Sequence, residues 1–261
     1  VSQLNKIAIS GKGGVGKTTL AALLAHIYAE RGRSVIAIDA DAAGGLAEAL
    51  GLPDDLVAQV TPISAMEDLI YERTGAKPGS VGGFFSLNPR VDDIPDRFSI
   101  AHRGIRFLRL GSIETGGSGC ICPESSLLRA LVTHLLLYNE EMLILDMEAG
   151  VEHLGRATAQ AVDAFIAVVE PGRRSLRTAA RVEQLAGDIG IKRVYAVGNK
   201  VRSESDRSFI RENSPVPVLG YLSTNAELTE ADMRGLGIFD AAPRTVEEVR
   251  EIVAALEALE A

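Results

Sequence analysis

The chain of 261 residues is short of cysteine, of basic charge and of long apolar runs, and each shortage narrows what it can be. Only Cys120 and Cys122 carry thiols, one residue apart. Two thiols are too few for a four-coordinate metal site and an awkward pair for a disulfide. With no signal-like N-terminus, they point to a reducing cytoplasm. Lys and Arg number 27 against 35 Asp and Glu, a formal charge of −8. That balance argues against a nucleic-acid binder, which usually carries a basic face. The longest apolar stretch, around ALVTHLLLY, is about half of the roughly 18 residues a membrane span needs, and it contains His134. No repeat, low-complexity tract or linker divides the chain, so residues 1–261 are expected to form one domain.

What is present is an alternation of short apolar runs and amphipathic ones. Strands are expected at KIAIS (6–10), SVIAIDAD (34–41), IRFLRLG (105–111), EMLILDMEAG (141–150), DAFIAVVEP (163–171), KRVYAVGNKV (192–201) and PVPVLGYL (215–222). Helices are expected over 20–32, 44–50, 64–73, 123–137, 174–188 and 245–261. Residues 74–97 read as loop with a short strand at FFSLN (84–88). The alternation implies βαβ units and an α/β fold: one doubly wound, mainly parallel sheet flanked by helices on both faces. In the last helix Val246, Val249, Val253 and Leu256 recur at helical spacing, with Ile252 and Leu259 beside them. Its other face is acidic, so it is expected to dock on the sheet rather than lie on an anionic membrane.

GKGGVGKT, Gly11 to Thr18, fits G-x-x-x-x-G-K-[ST] between a strand and a helix. Gly11, Gly13, Gly14 and Gly16 let the backbone, Val15 included, turn its N–H groups onto phosphates, Lys17, Thr18 and Thr19 complete the expected nucleotide-binding residues, and the helix that follows adds its positive end. Lys17 supplies charge to the β and γ phosphates, and Thr18 a hydroxyl to Mg²⁺. Asp146, ending MLILD, stands where such proteins hold Mg²⁺. Asp39 and Asp41 end the second strand, where open parallel sheets bind ligands. VGNKV differs from the guanine-reading Asn-Lys-x-Asp: the Asp position holds Arg202, which cannot accept a hydrogen bond, so GTP is disfavoured.

KGGVGKTT, with its second lysine Lys12, resembles the signature of the MinD, ParA, ArsA and nitrogenase iron protein superfamily of deviant Walker A P-loop NTPases. The resemblance implies two subunits sandwiching two ATP molecules, with Lys12 crossing to the partner's nucleotide as an arginine finger does. It implies that Asp41 belongs to a first switch and orients or deprotonates the attacking water, that Asp39 supports Mg²⁺ or the loop, and that EAGVEHLGR is a second switch. Asn199 would contact adenine, with a second base-contacting loop after PVLGYLSTNAE. Relatives often carry Pro after the Asp of the first switch and after the last strand; this chain carries AAGG and STN.

Cys122 is expected to cap the helix that opens at Pro123, where unpaired N–H groups and the helix dipole favour an anion and so a better metal ligand. A two-fold dimer would set an identical pair opposite, placing four sulfurs around one Zn²⁺ or Ni²⁺. GGSGCICPESSLLRALV, with LDMEAGVEHLGRAT, VVEP and NKVR, resembles the CooC-type nickel ATPases, accessory proteins of carbon monoxide dehydrogenase maturation. The resemblance implies a cytoplasmic, homodimeric metallochaperone that hydrolyses ATP. It would use Mg²⁺, bind Ni²⁺ or Zn²⁺ through Cys120 and Cys122 of both subunits, and serve nickel-dependent carbon monoxide dehydrogenase, with no nucleic acid or membrane as partner. His153 would be at most a transient nickel ligand. Two rival readings are a MinD- or ParA-like positioning ATPase and an ATP-dependent reductase with an interface iron–sulfur cluster.

Overall fold

Runs such as KIAISG and MLILDM are rich in Ile, Leu and Met and almost wholly buried, a pattern that a strand can sustain only with cover on both faces. The computed structural model describes residues 4–41, 43–79, 84–111, 122–148 and 161–259. Its strands are β1 (Lys6–Gly11), β2 (Val35–Ala40), β3 (Ile100–His102), β4 (Ile105–Arg109), β5 (Met142–Met147), β6 (Ala164–Val169), β7 (Val194–Val201) and β8 (Val218–Ser223). They join in one eight-stranded sheet of order β3-β4-β2-β5-β1-β6-β7-β8. Every neighbouring pair is parallel except β3 with β4.

The described helices are α1 (Lys17–Glu30), α2 (Leu46–Ala49), α3 (Asp54–Val57), α4 (Glu67–Thr74), α5 (Ile94–Phe98), α6 (Pro123–Tyr138), α7 (Arg173–Ile189), α8 (Glu204–Asn213), α9 (Ala226–Met233), α10 (Ile238–Ala241) and α11 (Pro243–Ala258). One face of the sheet packs on Leu127, Leu131 and Leu135 of α6 and on Leu176, Ala179 and Val182 of α7. The other packs on Leu20, Leu23 and Ile27 of α1 and on Val249, Ile252 and Val253 of α11. The doubly wound sheet is thus as expected, and α11 docks on it. Gly220 of β8 lies so close to α11 that an added Cβ would stand 2.6 Å from Ile252 Cγ1. Among the described residues no helix is long and apolar enough to cross a membrane.

Several details differ from expectation. The helices α3, α5, α9 and α10 fall where none is expected, α5 opening within the 74–97 segment read as loop. FFSLN is no strand: Phe84 is fully exposed, and Ser86 N–H bonds to the Thr74 carbonyl rather than to a sheet neighbour. β3 was not anticipated. It folds back on β4 through Arg103 and Gly104, both at positive φ (49° and 79°), the geometry of a two-residue hairpin turn. α8 was also missed, although Ser203 caps it by accepting from Asp206 N–H at 3.2 Å. Leu259 lies beyond α11 and is exposed rather than packed.

Candidate nucleotide site

A parallel sheet sends every strand's carboxyl end to one rim, where the following helices begin. β1 lies between β5 and β6, so the loop from Gly11 to Gly16 emerges at the centre of that rim. The ladder then sets the acids: Ile9 and Asp39 both stand opposite Asp146. Lys17 opens α1 with its side chain buried, 3.6 Å from Asp41 Oδ2. Thr18 Oγ1 donates to Asp146 Oδ2 at 2.7 Å. A cavity of about 550 Å³ is lined by Gly13, Lys17, Thr18, Asp41 and Glu148. A neighbouring one of about 800 Å³ runs from Gly14, Gly16 and Thr19 past Asn199 to Ser223, Thr224 and Asn225. The loop after β8, left open by its sequence, therefore walls the larger cavity.

Gly16 adopts φ 99°, and a Cβ there would stand 2.1 Å from Asn199 Nδ2. Gly16→Ala is expected to cost about 1–2 kcal/mol of stability from the left-handed backbone alone and to weaken nucleotide binding at least about tenfold, since the loop must move off Asn199. Thermal melts and fluorescent-nucleotide titration would check both.

Asp146 is completely buried, and desolvation pushes its pKa up to about 7 even though the Thr18 hydroxyl opposes the shift. Its Oδ1 is buried and has no hydrogen-bond partner among the described residues. An orphaned carboxylate oxygen beside a hydroxyl is a hard oxygen donor set that fits Mg²⁺, with Thr18 and Asp146 as the residues to hold it. Asp39 is buried too and shifted up by desolvation; it accepts from Asp41 N–H at 3.2 Å and Leu46 N–H at 3.4 Å. Asp39 thus pins the loop that carries Asp41. Val15 is buried, whereas Lys12 is exposed and makes no ion pair among the described residues.

Asn199 donates to the Val15 carbonyl at 2.7 Å and accepts from Lys200 N–H at 2.7 Å, so its amide holds the loop as well as facing the larger cavity. Cys122 is the N-cap of α6, as expected, at φ −118° and ψ 159°. Its thiol, half-buried, donates to Ser125 Oγ at 3.0 Å. Cys120 and His153 lie outside the described residues, as does all of the second-switch segment beyond Glu148 up to residue 160. Among the described residues no three His, Cys, Asp or Glu side chains are grouped to hold a metal. Sequence reasoning missed Lys200, whose contact with the loop comes from folding alone, and Glu170, which pairs with Lys200.

A glycine-rich loop between strand and helix, a buried lysine, and a hydroxyl bonded to a strand-end carboxylate define a P-loop nucleoside triphosphatase. The family model of the CobQ/CobB/MinD/ParA nucleotide binding domain matches residues 6–238. The chain belongs to that family and is a CooC-type ATPase within it. It is 44% identical over 252 residues to the carbon monoxide dehydrogenase accessory protein CooC of Rhodospirillum rubrum, covering 96% of this chain and 95% of that one. An uncharacterized ATP-binding protein of Methanocaldococcus jannaschii is 45% identical over 233 residues, 88% of this chain and 89% of its own. In structure the chain resembles the MinC:MinD cell division protein complex of Aquifex aeolicus, with a TM-score of 0.69 at 21% identity over 97% of this chain and 95% of that one. At that identity the likeness speaks to fold alone.

Proposed function

We propose that this ATPase is a nickel metallochaperone that dimerises around ATP and metal and assists nickel insertion into carbon monoxide dehydrogenase. The observation that carries the reading is positional: Lys12 follows β1 and Cys122 opens the helix after β4, both at the carboxyl rim of one parallel sheet. Two copies meeting rim to rim about a two-fold axis would bring both features into the interface. The relationship to CooC supports carbon monoxide dehydrogenase as the target.

The triphosphate would lie on the loop, with Lys17 on its β and γ oxygens. Lys17 Nζ lies 3.6 Å from Asp41 Oδ2. Phosphate oxygens compete for that ammonium, which leaves Asp41 free to orient a water and take its proton. The water oxygen then bonds to the γ phosphorus as the bond to the bridging oxygen breaks, releasing ADP and phosphate. Mg²⁺, when held by Thr18 and Asp146, neutralises charge on the β and γ oxygens. Lys12 of the partner subunit would complete the charge, and Asn199 with the loop after β8 would hold the adenine. Dimer closure and opening would gather one nickel between the cysteine pairs and hand it on.

Metal stoichiometry measured with molecular mass tests this reading. Reduced, chelated protein given Ni²⁺ or Zn²⁺ is expected to bind one metal per two chains and to run as a dimer by light scattering. Cys120→Ser and Cys122→Ser are each expected to lose the metal and the metal-induced dimer, because two missing thiolates of four leave no closed tetrahedral set. Metal binding unchanged in both variants would sink the shared site.

A further inference from the structure

The dipeptide Asn199–Lys200 grips two successive carbonyls of the phosphate loop. Asn199 Nδ2 holds Val15 O, and Lys200 Nζ donates to Gly14 O, both at 2.7 Å. Lys200 does this from an unfavourable backbone. It is one of only two non-glycine residues at positive φ among those described, at 56°. It falls where the β7–β8 ladder slips, between Gly198 and Val201. A long L side chain is disfavoured in the left-handed region, and such strain persists only where the surroundings hold it.

Here the holding groups are visible. Asn199 Oδ1 accepts from Lys200 N–H, and the ammonium forms a 2.5 Å ion pair with Glu170 at the end of β6. Glu170 is itself tied down, its N–H donating to Ser175 Oγ at 2.9 Å. The ladder slip thus turns the Lys200 side chain back over the loop, toward a carboxylate fixed beside it.

The consequence follows from peptide geometry. A trans peptide points its N–H opposite to its carbonyl. Holding the Gly14 carbonyl fixes the turn in which Val15 N–H bonds to the Lys12 carbonyl at 3.3 Å. Holding the Val15 carbonyl aims Gly16 N–H the opposite way.

We propose that Lys200, braced by Glu170, is a positioning residue for phosphate binding: it locks the Lys12–Val15 turn before nucleotide arrives. The inference rests on reading this loop as the ATP phosphate site. Lys200 touches no phosphate in this scheme; it acts through the loop.

Lys200→Gly and Glu170→Gln would be compared with wild type for Mg-ADP affinity by calorimetry, for kcat and KM with ATP, and for Tm. Glycine relieves the left-handed strain, so Lys200→Gly is expected to keep or raise Tm. The same variant is expected to weaken Mg-ADP about tenfold, the loss of one charged hydrogen bond to the loop. Glu170→Gln is expected to weaken it about threefold, because the ammonium still reaches Gly14 O. Affinity unchanged within twofold in Lys200→Gly, or affinity and Tm falling together in both variants, would overturn the inference and leave the ATPase reading intact. Wild type that binds no Mg-ADP would defeat the phosphate-site reading and this inference with it.

Discussion

Asp146→Asn should lose ATP hydrolysis by about a thousandfold, the usual scale for removing charge stabilisation at a transferring phosphoryl group, and yet melt higher than wild type when both are free of metal. The two effects have one cause. Asp146 is wholly buried between β1 and β2, beside Asp39 and near Asp41, with one oxygen unpartnered among the described residues. Ionising it there is costly, which is why its pKa rises from 3.8 to about 7. The folded state therefore binds this proton more tightly than the unfolded chain. Stability from this group is full below about pH 4, declines as pH rises, and is lost above about pH 7, by at most about 4 kcal/mol for a shift of this size.

The substituted amide would keep an oxygen for the Thr18 hydroxyl and carry no charge. In chelator at about pH 8 the variant should be the more stable protein, and the gap should close toward about pH 4. Mg²⁺ should raise Tm of wild type far more than that of the variant, since a cation offsets the buried charge. A variant that melts below wild type at high pH in chelator would show that the carboxylate is not held there at a cost. Hydrolysis within tenfold of wild type would show that Asp146 does not serve the metal.

The parts of this site that could be read from the chain are those carried by contiguous residues. Gly11 to Thr18 is one loop, and its residue types are dictated by what a phosphate needs from a backbone. MLILD announces a buried strand and places its acid at the end. The sheet is readable for the same reason: strands buried on both faces have no alternation to blur them. What could not be read arises from juxtaposition. Lys200 reaches Gly14 across 186 residues through a slip in the β7–β8 ladder. No local pattern signals such a slip. Asn199 reads as a base contact, but its 2.7 Å bond to Val15 needs β7 beside the loop and cannot be seen in VGNKV. β3 has a signal, Arg103–Gly104 between alternating residues, too short to outweigh the Pro- and Gly-rich stretch before it. FFSLN carries strand-forming residues, but Ser86 N–H bonds to the Thr74 carbonyl instead of to a strand.

Lys12→Ala should lower hydrolysis about a thousandfold while leaving Tm unchanged, and mixing it with Asp41→Ala should restore part of what both have lost. Lys12 is exposed and forms no ion pair among the described residues, so removing its side chain takes nothing from the fold. Asp41, by contrast, lies 3.6 Å from Lys17 of its own chain, at the loop it would serve. If Lys12 acts across the interface, the mixed dimer contains one sound site. The Lys12→Ala subunit has Asp41 in place and receives Lys12 from its Asp41→Ala partner. The other site lacks both groups. Random mixing makes about half of all dimers mixed, each with one working site of two, so about a quarter of wild-type activity should return. If Lys12 instead served its own nucleotide, every site in the mixed dimer would lack one group, and no activity would return. Each variant alone is the control, because homodimers of either lack a complete site under both schemes. Recovery near a quarter, dependent on protein concentration as a dimerisation must be, would establish that the lysine of one subunit completes the chemistry of the other. Its absence, with mixed dimers demonstrated by mass, would confine Lys12 to its own loop and remove the reason for hydrolysis to depend on dimer closure.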